Sequence, residues 1–336
     1  MFSIKNIKTE KFDHQYKKNH FFIFLSWVIL VIMMNLKNVV KKMRKHWQFY
    51  LIVFIPLAHI ILFAYGPMYG IQIAFKRFNA VQGIWGSSWV GLRYFEQFIK
   101  SPMIWDIIRN TLSISVYGLL TGMPCAIILA IALNECGSKR YKKSVQFITY
   151  APHFISTVVM VGIIFQITDL RLGVINNIIR LFGGEAINFM GKANIFSSIY
   201  IWSGIWQGCG FSSILYLAAL SGVSPELHEA AIIDGTNRLQ RIWHVDLPSI
   251  RPTITICLIM SLGGILGVGY EKIFLMQNPL NIAKSEVIST YVYKVGLQGG
   301  NFSFSTAIGL ANTVISFLLL SVVNKIAKHT LETSLW

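Results

Sequence analysis

The sequence predicts an all-α membrane protein with about six core transmembrane helices. Three observations predict it. Of the 336 residues, 54% are hydrophobic and only 13% are charged, whereas an ordinary soluble chain is about 25% charged. Several apolar runs reach the roughly 20 residues needed to cross a hydrocarbon core about 30 Å thick. Basic residues gather in the short segments between those runs. The net charge of +16 therefore fits membrane topology and anionic headgroups rather than phosphate recognition, and no nucleic-acid partner is expected.

Taken in order, Met1 to His20 is polar and Lys-rich, and Phe21–Met34 is apolar but short for a span. It resembles the hydrophobic part of a signal peptide without a small-residue cleavage site. With Met33, Met34 and Met43 as alternative starts, residues 1–33 read as an optional extension. The division expected is 1–40 variable and 41–336 transmembrane domain. Six apolar segments follow, near Trp47–Tyr65, Ile104–Leu133, Val145–Thr168, Ile195–Leu220, Ile250–Met276 and Ser305–Ile326. All are expected to be helices, because a lipid-exposed backbone must satisfy its own hydrogen bonds.

Orientation follows from Lys and Arg. One side receives Lys37 to Lys45, then Lys139, Arg140, Lys142 and Lys143, then Arg238, Arg241 and Arg251, and finally Lys325 and Lys328. Basic residues are sparser on the other side, so the first is assigned to the cytoplasm. Both termini then lie on the cytoplasmic side of the membrane. Two long segments lie opposite, Gly66–Ser101 and Asp169–Asn194, and the first carries Trp85, Trp89, Tyr94 and Phe95, which suit an interfacial aromatic belt or a ligand-receiving mouth. Cys125, Cys136, Cys209 and Cys257 are scattered, without metal-ligand spacing.

The informative stretch is Ser224 to Pro248, between the fourth and fifth apolar segments. Ser224 suits an N-cap, Pro225 the first helical position, and Glu226 and Glu229 the positive end of the dipole. Gly235 suits the left-handed residue that closes a helix. Thr236 or Asn237 can cap a second helix, which Pro248 is expected to terminate. Leu239, Ile242 and Trp243 give that second helix an apolar stripe that needs covering, by this chain's own helix ends or by a partner.

Within this stretch, Glu229-Ala230-Ala231, three residues, Gly235, nine residues and then Val245-Asp246-Leu247-Pro248 resemble the EAA motif of bacterial ABC-importer permeases, E-A-A-x3-G-x9-I-x-L-P. Val245 replaces Ile, keeping a β-branched apolar side chain. Tyr65-Gly-Pro-Met-Tyr-Gly, Trp89-Val-Gly-Leu-Arg-Tyr-Phe, Asn278-Pro-Leu and the ending Ser334-Leu-Trp are similar to the oligosaccharide and polysaccharide permeases related to the maltose permeases. The resemblance implies a type I importer fold with a cytoplasmic coupling helix between the fourth and fifth core helices. Glu229, Ala230, Ala231, Asp234, Gly235, Val245, Leu247 and Pro248 would couple it to an ATPase. It also implies a second homologous permease, two ABC ATPase subunits and an extracellular solute-binding protein.

No phosphate-cradling loop is present. At Gly191-Lys192-Ala193 the first glycine position holds Ala186 and no hydroxyl follows the lysine. The chain is therefore expected to be non-catalytic and to bind no cofactor, with ATP and Mg at partner subunits. Nor is there a nucleophile elbow or an H-E-x-x-H pair, and His153 beside Pro152 reads as structural. A non-sugar solute, or a secondary transporter, is the alternative function. Two sets are weighed for the substrate path. Trp202, Trp206, Gln207 and Tyr216 would stack on sugar faces and bond hydroxyls, though helix packing accounts for them equally. Tyr270 and Glu271 end a Gly-rich stretch; they line the path near its outer end, or Glu271 pairs with Lys272 at the interface.

Overall fold

In the computed structural model, which describes residues 44–331 and 333–335, the chain divides into two units, Met1–Gly70 and Ile71–Trp336. Residues 1–33 and the boundary at 40 lie outside the described residues. In the first unit, α1 (Trp47–Ile60) continues into a π turn, Ile61–Tyr65, and a short helix, Gly66–Met68. None of these helical residues is buried, as expected of a helix bathed in lipid.

The second unit opens with a two-stranded ribbon, β1 (Lys76–Arg77) antiparallel to β2 (Ser88–Trp89). The helices α2 (Arg93–Lys100), α3 (Pro102–Asn134), α4 (Lys139–Tyr150), α5 (Thr157–Thr168) and α6 (Val174–Leu181) follow. Next come α7 (Ala193–Leu220), α8 (Pro225–Ile233), α9 (Arg238–Arg241) and α10 (Leu247–Gly263). The chain finishes with α11 (Tyr270–Met276), α12 (Ile282–Ser285), α13 (Ile288–Tyr293) and α14 (Phe302–Leu331).

Among the described residues, four stretches are long and apolar enough to cross a membrane unaided: Trp47–Phe75, Pro102–Asn134, Arg238–Gly263 and Phe302–Leu331. Two bent pairs, Lys139–Phe154 with Thr157–Thr168 and Ala193–Leu220 with Pro225–Ile233, bring the number to six if each pair counts as one span. Long α3 and α7 pack along one another. Ala126, Ala130 and Leu133 of α3 meet Tyr216, Leu217 and Leu220 of α7 and Ile250 of α10 in one buried cluster. A second cluster joins Ile114, Met160, Val161, Phe196 and Ile273, and a third joins Ile107, Leu266, Ile288, Phe304 and Ile308.

The structure corrects the expected helices at three points. The segment Val145–Thr168 is broken: α4 ends in a 3-10 turn at Ala151–Phe154, Ile155 is extended, and Ser156 caps α5, which leaves at 103°. Pro152 supplies no amide to continue α4, and the Ser156 hydroxyl accepts from the Val159 amide at 3.4 Å. The segment Ile250–Met276 is also broken, because α10 stops at Gly263 and irregular backbone runs through Gly264–Gly269 before α11. Third, Pro248 does not terminate the second helix of the 224–248 stretch. A π turn, Ile242–Asp246, carries the helix through, with the Leu247 amide bonding the Ile242 carbonyl. The wider turn makes room for the proline ring at the start of α10.

Candidate functional site

Two places concentrate chemistry, and α7 joins them. The first is the 224–248 stretch. The Ser224 hydroxyl accepts from the Glu226 amide at 3.3 Å, and Pro225 occupies the first turn of α8, where its missing amide costs nothing. Gly235 has φ +76°, a conformation that a side chain at Cβ disfavours. The Thr236 amide and hydroxyl both donate to the Ala231 carbonyl, at 3.1 and 2.6 Å. Asn237 and Gln240 form a reciprocal capping box at the start of α9, with bonds of 2.8 and 2.9 Å.

Two contacts then fasten the stretch to the end of α3, and a third closes it on itself. Arg238 Nε lies 2.7 Å from Glu135 Oε2 and an Arg238 Nη donates to the Glu135 carbonyl at 2.9 Å, at the end of α3. His228 Nε2 lies 3.4 Å from Asp246 Oδ1, joining α8 to the turn beneath α10. Asp246 is fully buried, and among the described residues neither of its carboxylate oxygens accepts a hydrogen bond. His228 is thus the polar side chain set beside it, in a place where an isolated carboxylate is costly. Sequence reading missed this pair, because the eighteen-residue separation gives no periodic signal.

Of the motif residues, Glu229, Ala230, Asp234 and Gly235 are exposed and Ala231 is half-buried. Beside them Leu227, Ile232 and Ile233 present apolar surface, Ile233 being 85% exposed. Val245 and Leu247 belong instead to the rising helix, Leu247 packing on the cluster shared by α3, α7 and α10, and Pro248 is exposed at the first turn of α10. Of the expected stripe, Leu239 and Trp243 stay exposed and Ile242 is half-buried, and all three line an apolar groove with Pro124, Ile127, Ile128 and Ile131 of α3.

The second place is a cavity of about 530 Å³ among α3, α7, the end of α10 and the start of α11. Gly118 and Gly122 on α3 face Ile201 and Ile205 on α7, where an added Cβ would meet those side chains at 4.0 and 3.9 Å. Small residues four apart allow that approach. Gln207 and Tyr216 line the cavity, as do Ser115, Tyr200, Ser212, Ser261 and Lys272. Gln207 also holds the broken segment together, its Nε2 donating to the Ile155 carbonyl at 2.8 Å. At membrane depth that freed carbonyl requires such a partner. His153 stacks on Phe211 with ring centroids 4.0 Å apart, a packing role.

Other expected path residues lie elsewhere. Trp202 and Trp206 stand on the opposite side of α7 from Gly204, since two residues along a helix turn about 200°. They line a separate apolar groove with Met160, Ile163 and Ile167, and Trp202 Nε1 donates to the Tyr117 hydroxyl at 3.1 Å. Tyr270 packs against Phe274 and Tyr293 at 5.3 and 4.7 Å and does not line the cavity. Glu271 is exposed and is not paired with Lys272, whose Nζ instead donates to the Tyr200 carbonyl at 3.1 Å. Lys272 is the residue that sequence reading undervalued. It enters the sequence reading only as a partner for Glu271, although an ionisable side chain within an apolar segment is itself a signal of function.

The chain is similar to known transport proteins in sequence and in fold. Residues 122–331 match the family described as binding-protein-dependent transport system inner membrane component. Protein LplB of Bacillus subtilis (strain 168) is 40% identical over 285 residues, 85% of this chain and 89% of its own. The polygalacturonan/rhamnogalacturonan transport system permease protein YteP of the same bacterium is 38% identical over 300 residues, 89% of this chain and 94% of its own. A bacterial alginate ABC transporter, crystallised in complex with an alginate pentasaccharide-bound periplasmic protein, superposes with a TM-score of 0.80 at 37% identity. That match covers 88% of this chain and 99% of the other.

Proposed function

The chain belongs to the family of binding-protein-dependent transport system inner membrane components, and from that premise we propose that it is the permease subunit through which an ATP-driven importer moves an oligosaccharide inward. It is a membrane-spanning subunit and not the ATPase. The carbohydrate reading is supported by relatives whose names specify polygalacturonan/rhamnogalacturonan or arabinooligosaccharides, and by the alginate transporter's structure. The assembly pairs this chain with a second, homologous permease. Two ATPase subunits hold ATP and Mg on the cytoplasmic side, and an extracellular binding protein delivers the sugar. The termini and the 224–248 stretch face the cytoplasm.

One observation carries the mechanism. The helix α8 is capped at both ends, presents Leu227, Ile232 and Ile233 to solvent, and is fastened through Asp246 to α10 and, by way of Arg238, to α3. Both α3 and α10 contribute cavity lining. An ATPase that grips Glu229 to Gly235 and closes on ATP therefore pulls directly on two walls of the cavity, switching access from one side to the other. The motif ending Val245, Leu247 and Pro248 sets the base of α10. Gln207 and Tyr216 contribute hydroxyl- and amide-bonding groups to the path.

The test is Gly235→Val in the reconstituted importer. A β-branched residue at φ +76° is strained by about 1–3 kcal/mol and disturbs the turn. ATP-driven saccharide uptake is expected to be lost while membrane insertion and copurification of the second permease persist. Uptake at the wild-type rate would remove the coupling role, and uptake without ATP would point to a secondary transporter.

A further inference from the structure

Among the residues lining the 530 Å³ cavity, Lys272 is the one that carries a charge. Its ammonium has three donors. One is used by the Tyr200 carbonyl at 3.1 Å, and the ring of the same tyrosine lies 5.0 Å from Nζ at its centroid. Gly204 stands opposite; a Cβ there would lie 3.4 Å from Nζ, so glycine leaves the ammonium space. Among the described residues, the ion pairs are Lys100 with Glu96, His228 with Asp246, Arg238 with Glu135 and Lys294 with Glu286. Lys272 is in none of them. Its sequence neighbour Glu271 is exposed and does not line the cavity.

A half-buried ammonium with donors to spare and no counter-charge is costly inside a membrane protein. An anion in the cavity offsets that cost; a neutral sugar hydroxyl, as a weaker acceptor, offsets less of it. The remaining lining groups, Ser115, Ser212, Ser261, Gln207 and Tyr216, are of the kind that bond sugar hydroxyls. Resting on the carbohydrate reading above, we propose that this cavity is an acidic-sugar subsite in which Lys272 binds the carboxylate of a uronic acid residue. Tyr200 is the positioning residue: its carbonyl fixes one ammonium donor so that the others face the cavity.

The experiment measures equilibrium binding of radiolabelled galacturonate and mannuronate trisaccharides, and of their neutral methyl esters, to the purified permease–ATPase complex. Wild type is expected to bind at least one acid about ten- to a hundredfold more tightly than its ester, the range of a charge-assisted hydrogen bond. Lys272→Met is expected to bring the acid-to-ester affinity ratio to about one, acid binding falling more than ester binding, and Lys272→Arg to retain the preference. Equal affinity for acid and ester in wild type overturns the subsite and leaves the carbohydrate reading intact. A preference that survives in Lys272→Met also overturns it. A parallel loss of acid and ester in both variants assigns Lys272 a packing role instead. If neither acids, esters nor a neutral trisaccharide bind wild type, the carbohydrate reading fails first and takes the subsite with it.

Discussion

The two ends of α7, about 40 Å apart at 1.5 Å per residue, finish their structure in different ways. Beyond its N-terminus, the segments 169–192 and 277–293 close on themselves. Asn176, 0% exposed, donates to the carbonyls of Thr168, Asp169 and Ile187 and accepts from the Ile187 amide at 2.8 Å. Asn281, equally buried, donates to the Met190 and Met276 carbonyls and accepts from the Ser285 hydroxyl. Asn278 adds a bond to Met190 at 2.8 Å. Beyond the C-terminus of α7, the 224–248 stretch completes its caps yet leaves Leu227, Ile232 and Ile233 uncovered. The first region is knitted together by fully buried amide side chains that reach carbonyls across it, although Leu172, Leu181 and Phe182 stay exposed. The second is shaped by its helix caps, leaves the buried Asp246 carboxylate without a hydrogen bond, and carries exposed apolar side chains on the same short helix as Glu229 and Ala230, the placement on which the coupling proposal rests.

That contrast is broken or sharpened by three substitutions. The largest effect is expected from Ile233→Ser, which should cut ATP-driven uptake by about tenfold or more, the scale of an interface hot spot. The fold should change within about 0.5 kcal/mol, as for other exposed sites. A parallel loss of thermal stability in detergent would mean that Ile233 packs within this chain. Next, Asn176→Ala should destabilise the chain by roughly 2–3 kcal/mol, because it strands buried carbonyls, and coupling of ATP hydrolysis to transport should survive in the folded fraction. Uncoupled hydrolysis without loss of stability would reverse the roles of the two ends.

The smallest effect concerns Asp169. The amides of Leu172 and Arg171 donate to its carboxylate at 2.7 and 2.8 Å and hold its pKa below the usual carboxylate range. A group whose folded pKa is depressed contributes stability above its unfolded pKa and loses it as pH falls through the folded value. Amide exchange in residues 170–173 should therefore quicken only in acid well below the ordinary Asp pKa. An onset at the ordinary value would remove the role of those two amides, and Asp169→Asn should flatten the response.

Much of this was legible in the sequence, for reasons that differ by region. The helical segments near Trp47–Tyr65, Ile104–Leu133, Ile195–Leu220 and Ser305–Ile326 follow from run length, a property each carries by itself. The caps at Ser224, Gly235 and Asn237 are equally local, since each needs only its own neighbours within a few residues. The breaks at Ile155 and at Gly264–Gly269 were not legible. Pro152 marks a weak point, but the break is maintained by Gln207, fifty-two residues away, which supplies the hydrogen bond the carbonyl of Ile155 would otherwise lack. The cavity was half legible. Gln207 and Tyr216 were identified by type, whereas assigning Trp202 and Trp206 to the same set ignored the rotation between them. Lys272 and the Asp246–His228 pair depend on contacts between distant helices, which composition and spacing do not report.

The π turn at Ile242–Asp246 has one consequence of its own. A π turn holds about one residue more than the α turn it replaces, and one residue is about 100° of rotation about a helix axis. The turn therefore sets the angular phase of α10 relative to α9. It decides that Ser261 and Gly264, five turns above, look into the cavity rather than into lipid. A permease gene that lost a single codon here would keep its apolar run, its caps and its prolines, and would still aim a different face of α10 at the path.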